Sequence, residues 1–368
     1  MFKKYNFFHY NFKLLIFTIA LAVIGCIIVG SAEVTLQSRQ IMGCILGFVL
    51  MLALSLFDYS LILKLYWLIY GINIVLLVMV IFLGEEANNA QRWLKILGVQ
   101  FQPSELAKLL MILFFAQFIH KHEEELNTIK YISLCVILFG ITAVLVLKQP
   151  DLSTTIVLTI IFCCVMFVGE IRFRVIAGAL AIAVPVAVIM IYLIMQPDQT
   201  ILDNYQRNRI MAFLNQEEYA NDIGYQQSYS VMAIGSGQLS GKGYNNNEIS
   251  SVKNSNFLAE QQTDFIFAVI GEEFGFVGTV TVIILLLLIT IECFAIAIRS
   301  PYMSGKIIAA GVGIWIGFQG FINIGVTTYL LPNTGLPLPF VSYGLTSLVT
   351  NFIGIGFVLN VGLQCDEK

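Results

Sequence analysis

Apolar and polar residues alternate along this chain in long blocks, not at the short periods of a water-facing helix or strand. Apolar runs of about 15–23 residues recur at 14–30, 41–57, 66–84, 106–120, 131–147, 152–168, 175–195, 278–298, 307–329 and 344–363. A helix needs about 20 mostly apolar residues to cross a bilayer, and the shorter runs reach that length by extending into their flanks. The pattern predicts an all-α polytopic membrane protein of about ten transmembrane helices, forming one domain over residues 1–368. The first run follows Lys3, Lys4 and Lys13, and Gly30-Ser31-Ala32 after it resembles a signal-peptidase site. It is longer than a typical signal core of about 7–15 residues and many spans follow, which favours an uncleaved first helix.

The polar segments between the runs are unequal. With an even number of spans both termini share a side, whose short loops carry Lys64, Lys121, Lys130, Arg172, Arg174, Arg299 and Lys306 besides the terminal lysines. The opposite short loops carry only Arg39, Arg92, Lys95 and Lys148, with Lys108 at a helix start. The excess of basic residues marks the cytoplasmic side, so a plasma-membrane protein with both termini inside is expected. The outer side receives the long polar stretches: Glu85–Ser104, Gln149–Asp151, Leu330–Tyr343 and, between spans seven and eight, a large extracellular loop of about 196–277. Tyr205, Met211, Phe213, Leu214, Tyr225, Tyr229 and Phe257 run through that loop and equip it to pack against the rest of the molecule.

Composition agrees. Hydrophobic residues make up 58% of the chain and charged residues 12%, with a mean hydropathy of +0.84. A water-soluble surface needs about twice that charge. The net charge of −3 and the lack of a long basic run argue against a nucleic-acid partner. Six of the seven cysteines lie in apolar runs, without metal-ligand spacing, and read as small hydrophobes.

Candidate chemistry concentrates outside. All three histidines, His9, His120 and His122, belong to the cytoplasmic side, so neither a histidine triad nor a histidine zinc site can form on the outer face. A general base there has to be a carboxylate or a lysine of lowered pKa. Gly235-Ser236-Gly237-Gln238-Leu239-Ser240-Gly241-Lys242-Gly243 lacks the spacing and the final Ser or Thr of a nucleotide P-loop. It is either an anion-binding turn with Lys242 or a glycine hairpin of no catalytic role. Ser104 is the expected N-cap of a helix carrying Glu105 and Lys108, and Lys148 and Asp151 bracket another helix junction. Asp264 opens an apolar run, with Thr263 as a candidate cap, and intramembrane carboxylates tend to be functional. Glu273-Phe274-Gly275 reads as the polar end of an amphipathic helix. These features fit a transporter and a lipid-substrate enzyme equally.

Several blocks, in order, resemble the SEDS family (shape, elongation, division and sporulation proteins). They are Ala90–Trp93, Phe101–Lys108, Lys148–Asp151, Tyr225–Ser228, Ala233–Gly237, Thr263–Glu273 and Thr334–Gly344. Gly241-Lys242-Gly243 and the short C-terminal tail are more similar to RodA than to FtsW. The chain departs from the usual pattern at Ala259, Gln262 and Leu345. The resemblance implies a peptidoglycan glycosyltransferase that polymerises lipid II, a disaccharide-peptide on undecaprenyl pyrophosphate. It implies Asp264 as general base, with substrate-binding roles for Arg92, Glu105, Lys108, Lys148, Asp151, Arg207, Arg209, Lys242 and Glu260. It also implies membrane lipids around the spans and a class B penicillin-binding protein as partner, touching the outer loops and Ile307–Tyr329. No cofactor is implied; the reaction allows a divalent cation at Asp264 or the pyrophosphate, though no motif calls for one. A lipid II flippase and a scaffold without chemistry are the rival readings.

Overall fold

The computed structural model describes residues 10–87, 90–96, 99–178, 181, 185, 189, 192, 204–214, 224–245 and 260–364. The apolar runs fold as long helices: α1 (Phe12–Ala32), α2 (Val34–Leu56), a short α3 (Tyr59–Leu63), α4 (Tyr66–Leu83), α5 (Pro103–Lys121), α6 (Ile129–Leu147) and α7 (Leu152–Val168). After them come α8 (Asn204–Leu214), α9 (Tyr225–Ser236), α10 (Ile266–Arg299), α11 (Met303–Thr327) and α12 (Leu345–Leu363). Eight of these are long and apolar enough to cross a membrane, and the 17-residue α7 is a shorter apolar helix. The expected span at 175–195 falls largely outside the described residues. Large apolar side chains such as Val49, Leu68, Phe82, Ile137 and Ile291 are exposed on the helix sides, where lipid is the natural solvent.

Two of the outer polar stretches carry regular structure. The outer segment after α4 is not wholly irregular: β1 (Glu85–Ala87), β2 (Ala90–Ile96) and β3 (Val99–Phe101) form a small antiparallel sheet in the order β1-β2-β3. The stretch taken as one outer loop holds α8 and α9, and its last residues already belong to α10. α11 is the central helix, packed against α5, α7, α10 and α12 with most of its residues buried, while Phe321 on it stays exposed.

Helix ends explain how the outer face is organised. Pro103 takes the first turn of α5, so Gln102 rather than Ser104 is the N-cap, and the Ser104 hydroxyl is free to donate to Asp151 Oδ2 (3.2 Å). Asp151 in turn caps α7, accepting from Thr154 N (3.1 Å) and Thr154 Oγ1 (2.9 Å). One buried carboxylate thus joins the starts of α5 and α7. In α10 the helix breaks at Gly275 (φ 60°, ψ −154°), and the amides beyond it find partners outside the helix. Phe276 N donates to Gln238 O (2.8 Å) and Val277 N to Leu239 O (3.2 Å), both in the glycine-rich turn after α9. On the opposite face, Tyr10 reaches Ser55, Asn360 Nδ2 donates to Ser55 O, and Gln364 Nε2 donates to Asp58 Oδ1. Both described ends of the chain therefore lie together, away from the start of α10.

Candidate active site

The site is assembled from the residues before α10, the proline-rich loop between α11 and α12, and α8. Asp264 precedes α10; its own amide donates to Glu260 O (3.2 Å), and so does that of Thr263 (3.1 Å), making a tight turn on Glu260 at φ 58°. Thr263 is not a helix cap: its hydroxyl also donates to Glu260 O. The turn is pinned to the proline-rich loop by Ser342 Oγ donating to Thr263 O (2.5 Å) and Tyr343 N donating to Gln262 O (2.9 Å). Ser342 Oγ also accepts from Leu338 N (2.7 Å).

Gly335 brings the loop face to face with the acid. It has φ +72°, and a Cβ there would lie 3.3 Å from Asp264 Oδ2 and 3.6 Å from Arg209 Nη1. Arg209 Nη1 also donates to Asn333 O (3.5 Å). Beside Gly335, Asn333 Oδ1 and Thr334 Oγ1 are shielded from solvent and have no partner among the described residues. The electrostatics of Asp264 follow from this setting. Burial pushes its carboxyl up to about 6, and Glu260 adds to the rise, while Arg209, Arg92 and a hydrogen bond from Thr263 oppose it. An acid that ionises near neutral pH, held beside two guanidinium groups, can take a proton from a bound hydroxyl and sit close to a developing anion.

The other predicted residues separate by location. Arg92 donates through Nε to Gln149 O (3.2 Å) and through Nη2 to Pro150 O, so β2 is tied to the α6–α7 corner. Asp151 lies in that corner as the cap described above, and Lys148 is exposed beside it at the end of α6. Arg207 and Arg209 are two positions apart on α8 and project from different sides of the helix, so only Arg209 meets Gly335. Lys242 pairs with Glu272 (2.8 Å), away from the acid. Glu272 is buried, and so is Glu273, which accepts from Ser31 Oγ and from Asn245 N (3.2 Å). Glu273 is therefore not an exposed helix end. The glycine-rich segment packs backbone to backbone against α10: a Cβ at Gly237 would fall 1.9 Å from Gly271 O, and one at Gly241 would fall 2.1 Å from Glu273 O. Its glycines serve close packing.

Glu105 and Lys108 lie beneath the site. Lys108 is fully buried, and its Nζ donates to Glu105 Oε1 and Gln319 Oε1, each at 2.7 Å. Gln319 Oε1 accepts a further bond from Trp315 Nε1 (2.8 Å), and Gln319 Nε2 donates to Pro337 O (2.9 Å). One turn on, Asn323 Nδ2 donates to both Asp264 O (2.9 Å) and Leu336 O (2.7 Å). Sequence reasoning missed Gln319, Asn323, Gly335 and Ser342. Two amides four residues apart in an apolar span were a usable signal, since polar side chains at membrane depth are costly and seek partners.

The chain is similar to known proteins over most of its length. The family FTSW_RODA_SPOVE, described as cell cycle protein, matches residues 4–366. The chain is 32% identical to the peptidoglycan glycosyltransferase MrdB of Escherichia coli K12 over 96% of this chain and 93% of that one. It is 35% identical to a probable peptidoglycan glycosyltransferase FtsW of Nitrosomonas europaea over 80% of this chain and 74% of that one. Among solved structures, it superposes on a chain from work on the structural coordination of polymerization and crosslinking by a peptidoglycan synthase complex. That match has a TM-score of 0.79 and 30% identity over 96% and 97% of the two chains. The rod shape determining protein RodA of Thermus thermophilus gives a TM-score of 0.70 at 27% identity over 99% of both chains. With the family model matching residues 4–366 and the fold shared with a solved structure over 96% of its length, the chain belongs to the FtsW/RodA/SpoVE family of membrane proteins.

Proposed function

We propose that this chain is a peptidoglycan glycosyltransferase that polymerises lipid II into β-1,4 glycan strands at the outer face of the cytoplasmic membrane. The observation that carries the reading is Asp264, lifted to about 6 and set against Gly335 and Arg209 at the mouth of the helix bundle. In the reaction, the acceptor's 4-hydroxyl oxygen bonds to the donor's anomeric carbon as the bond from that carbon to pyrophosphate breaks. Asp264 takes the hydroxyl proton, and undecaprenyl pyrophosphate leaves. An α-linked donor yields a β bond in a single inverting displacement, so no enzyme nucleophile is required.

Arg209 and Arg92 supply positive charge near the acid for the departing pyrophosphate. Asn333 Oδ1 and Thr334 Oγ1 offer hydrogen-bonding capacity to a sugar beside Gly335. Glu260, exposed next to the acid, is suited to an acceptor group. Lys108 and Glu105 act through Gln319, and Asp151 through the ends of α5 and α7. Lys148, Arg207 and Lys242 remain candidates for the outlying parts of a large substrate. The work on a peptidoglycan synthase complex supports a crosslinking partner here as well, a class B penicillin-binding protein. The Gly241-Lys242-Gly243 turn supports a RodA-like role in wall elongation and cell shape. The basic-residue bias supports cytoplasmic termini.

The test supplies lipid II to the purified chain and to its Asp264→Ala and Asp264→Asn variants, and resolves glycan polymer on a gel. The unaltered chain is expected to polymerise and both variants to lose at least about a hundredfold in rate, in keeping with general-base contributions of about 10²–10⁴. Near-normal polymer from either folded variant would remove Asp264 from the role of base.

A further inference from the structure

Asp264 is the last polar residue before α10, and the turn ahead of it is tied to the proline-rich loop at Gln262 and Thr263 by Tyr343 and Ser342. The carbonyl of Asp264 itself is held by a side chain from the centre of the bundle. Trp315, Gln319 and Asn323 follow one another at intervals of four on α11, which places them on one face of the helix. Asn323 is 1% exposed, and its single amide nitrogen donates to two main-chain carbonyls from segments far apart in sequence, Asp264 O at 2.9 Å and Leu336 O at 2.7 Å. Both amide hydrogens are therefore committed to these carbonyls, and Asn323 Oδ1 is buried without a partner among the described residues.

Gln319 performs the matching task one turn earlier. Its carbonyl oxygen accepts from Lys108 Nζ and Trp315 Nε1, which leaves only Nε2 to face Pro337 O. The two amides thus grip adjacent carbonyls of the proline-rich loop, Leu336 and Pro337, and one of them also grips the residue that carries the acid. Buried amides at this depth are costly, and a leucine would otherwise serve packing as well.

We infer that Asn323 is a positioning residue of the site, fastening the main chain of Asp264 to that of Leu336, beside the Ser342 and Tyr343 bonds, so that the acid and Gly335 hold one separation. This rests on the reading of Asp264 as base, and it is independent of which substrate group the loop contacts. Asn323 touches no reacting atom; it acts through two main-chain carbonyls. Gln319 and the buried Lys108 extend the same fastening down to α5.

The test uses the full chain carrying Asn323→Leu, which keeps the branched shape of the side chain and suits an apolar helix, beside Thr327→Val as a control. Thr327 lies one turn further on, and its hydroxyl donates only within its own helix. Hydrogen exchange followed by mass spectrometry reads the fastening directly. Asn323→Leu is expected to raise exchange at least tenfold at the amides of Tyr343 and Asp264, and Thr327→Val is expected to leave them unchanged. With lipid II, Asn323→Leu is expected to lower kcat at least tenfold while KM stays within twofold, with the acid limb of its pH profile moved to lower pH as Asp264 gains water. Unchanged exchange in folded Asn323→Leu would overturn the proposal, as would a loss of rate matched by an equal loss of folded protein. Asp264→Asn is measured in parallel: polymer from that variant together with raised exchange in Asn323→Leu would defeat the base while leaving the fastening intact.

Discussion

Two opposed influences place Asp264 near neutrality, which suits the base proposed for it. Burial and the Glu260 carboxylate favour its protonated form, while Arg209, Arg92 and the Thr263 hydroxyl favour the ion, and burial prevails. A base must be ionised to act, so the rate of polymerisation is expected to fall about tenfold per pH unit below pH 6, where Asp264 is protonated. Arg209→Ala removes a charge that stabilises the ion and is expected to move this acid limb to higher pH. Glu260→Gln removes a repelling charge and is expected to move it lower. Initial rates of lipid II polymerisation between pH 4.5 and 8, taken as about the range in which a carboxyl of this kind titrates, check both; a limb that moves the same way in both variants would contradict the assignment of causes.

At the scale of elements, the outer face is held by crossings of backbone on backbone. Gly275 gives α10 its break, and the turn after α9 then supplies carbonyls to the released amides of Phe276 and Val277. The φ and ψ at Gly275 lie in a region that residues with a Cβ rarely enter, and a Cβ would sit 2.4 Å from Gly241 N. Gly275→Ala is expected to cost at least about 1–3 kcal/mol from backbone strain alone. Thermal unfolding of the purified chain in detergent reads this as a lowered midpoint. Gly235, inside α9 with nothing within 4 Å of its added Cβ, is the contrasting position. Gly235→Ala is expected to leave the midpoint unchanged or raise it slightly, since alanine favours helix by about 0.5–1 kcal/mol. Equal loss at both glycines would mean that close packing at Gly275 is not what matters.

For the whole molecule, the arrangement has a direction. The acid, the proline-rich loop and the small sheet occupy one end of the bundle, and the two described chain ends occupy the other, where Asn11 Nδ2 reaches Glu292 Oε2 (2.8 Å). On the proposed orientation, the excess of lysine and arginine at that second end makes it the cytoplasmic one. A cysteine placed at Glu260 is accordingly expected to react with a membrane-impermeant maleimide added to intact cells with the outer wall opened. One placed at Asn127, in the exposed α5–α6 connection, is expected to react only after the membrane is permeabilised. The reverse pattern would put the acid on the wrong side for an external wall polymer and end the proposed function.

The sequence by itself determined the solvent of this protein, the rough limits of most spans and where the polar stretches fall. These are properties of composition and of residues near one another in the chain, where hydropathy and charge speak directly. Asp264 became the candidate acid through the resemblance of its segment to a known family. The silence of the sequence began where partners are distant along it. Ser104 was read as a cap because its neighbours suit one, yet Pro103 shifts the helix start and a carboxylate 47 positions away claims its hydroxyl. Glu273 was read as solvated because nothing local showed Ser31 closing over it. The glycine-rich turn had two readings until α10 was seen lying against it. Only tertiary structure decided that Lys108 is buried and that α11 threads two amides between the acid and the loop. A buried hydrogen bond depends on which groups remain after the helices have packed, and that selection is made by the whole bundle.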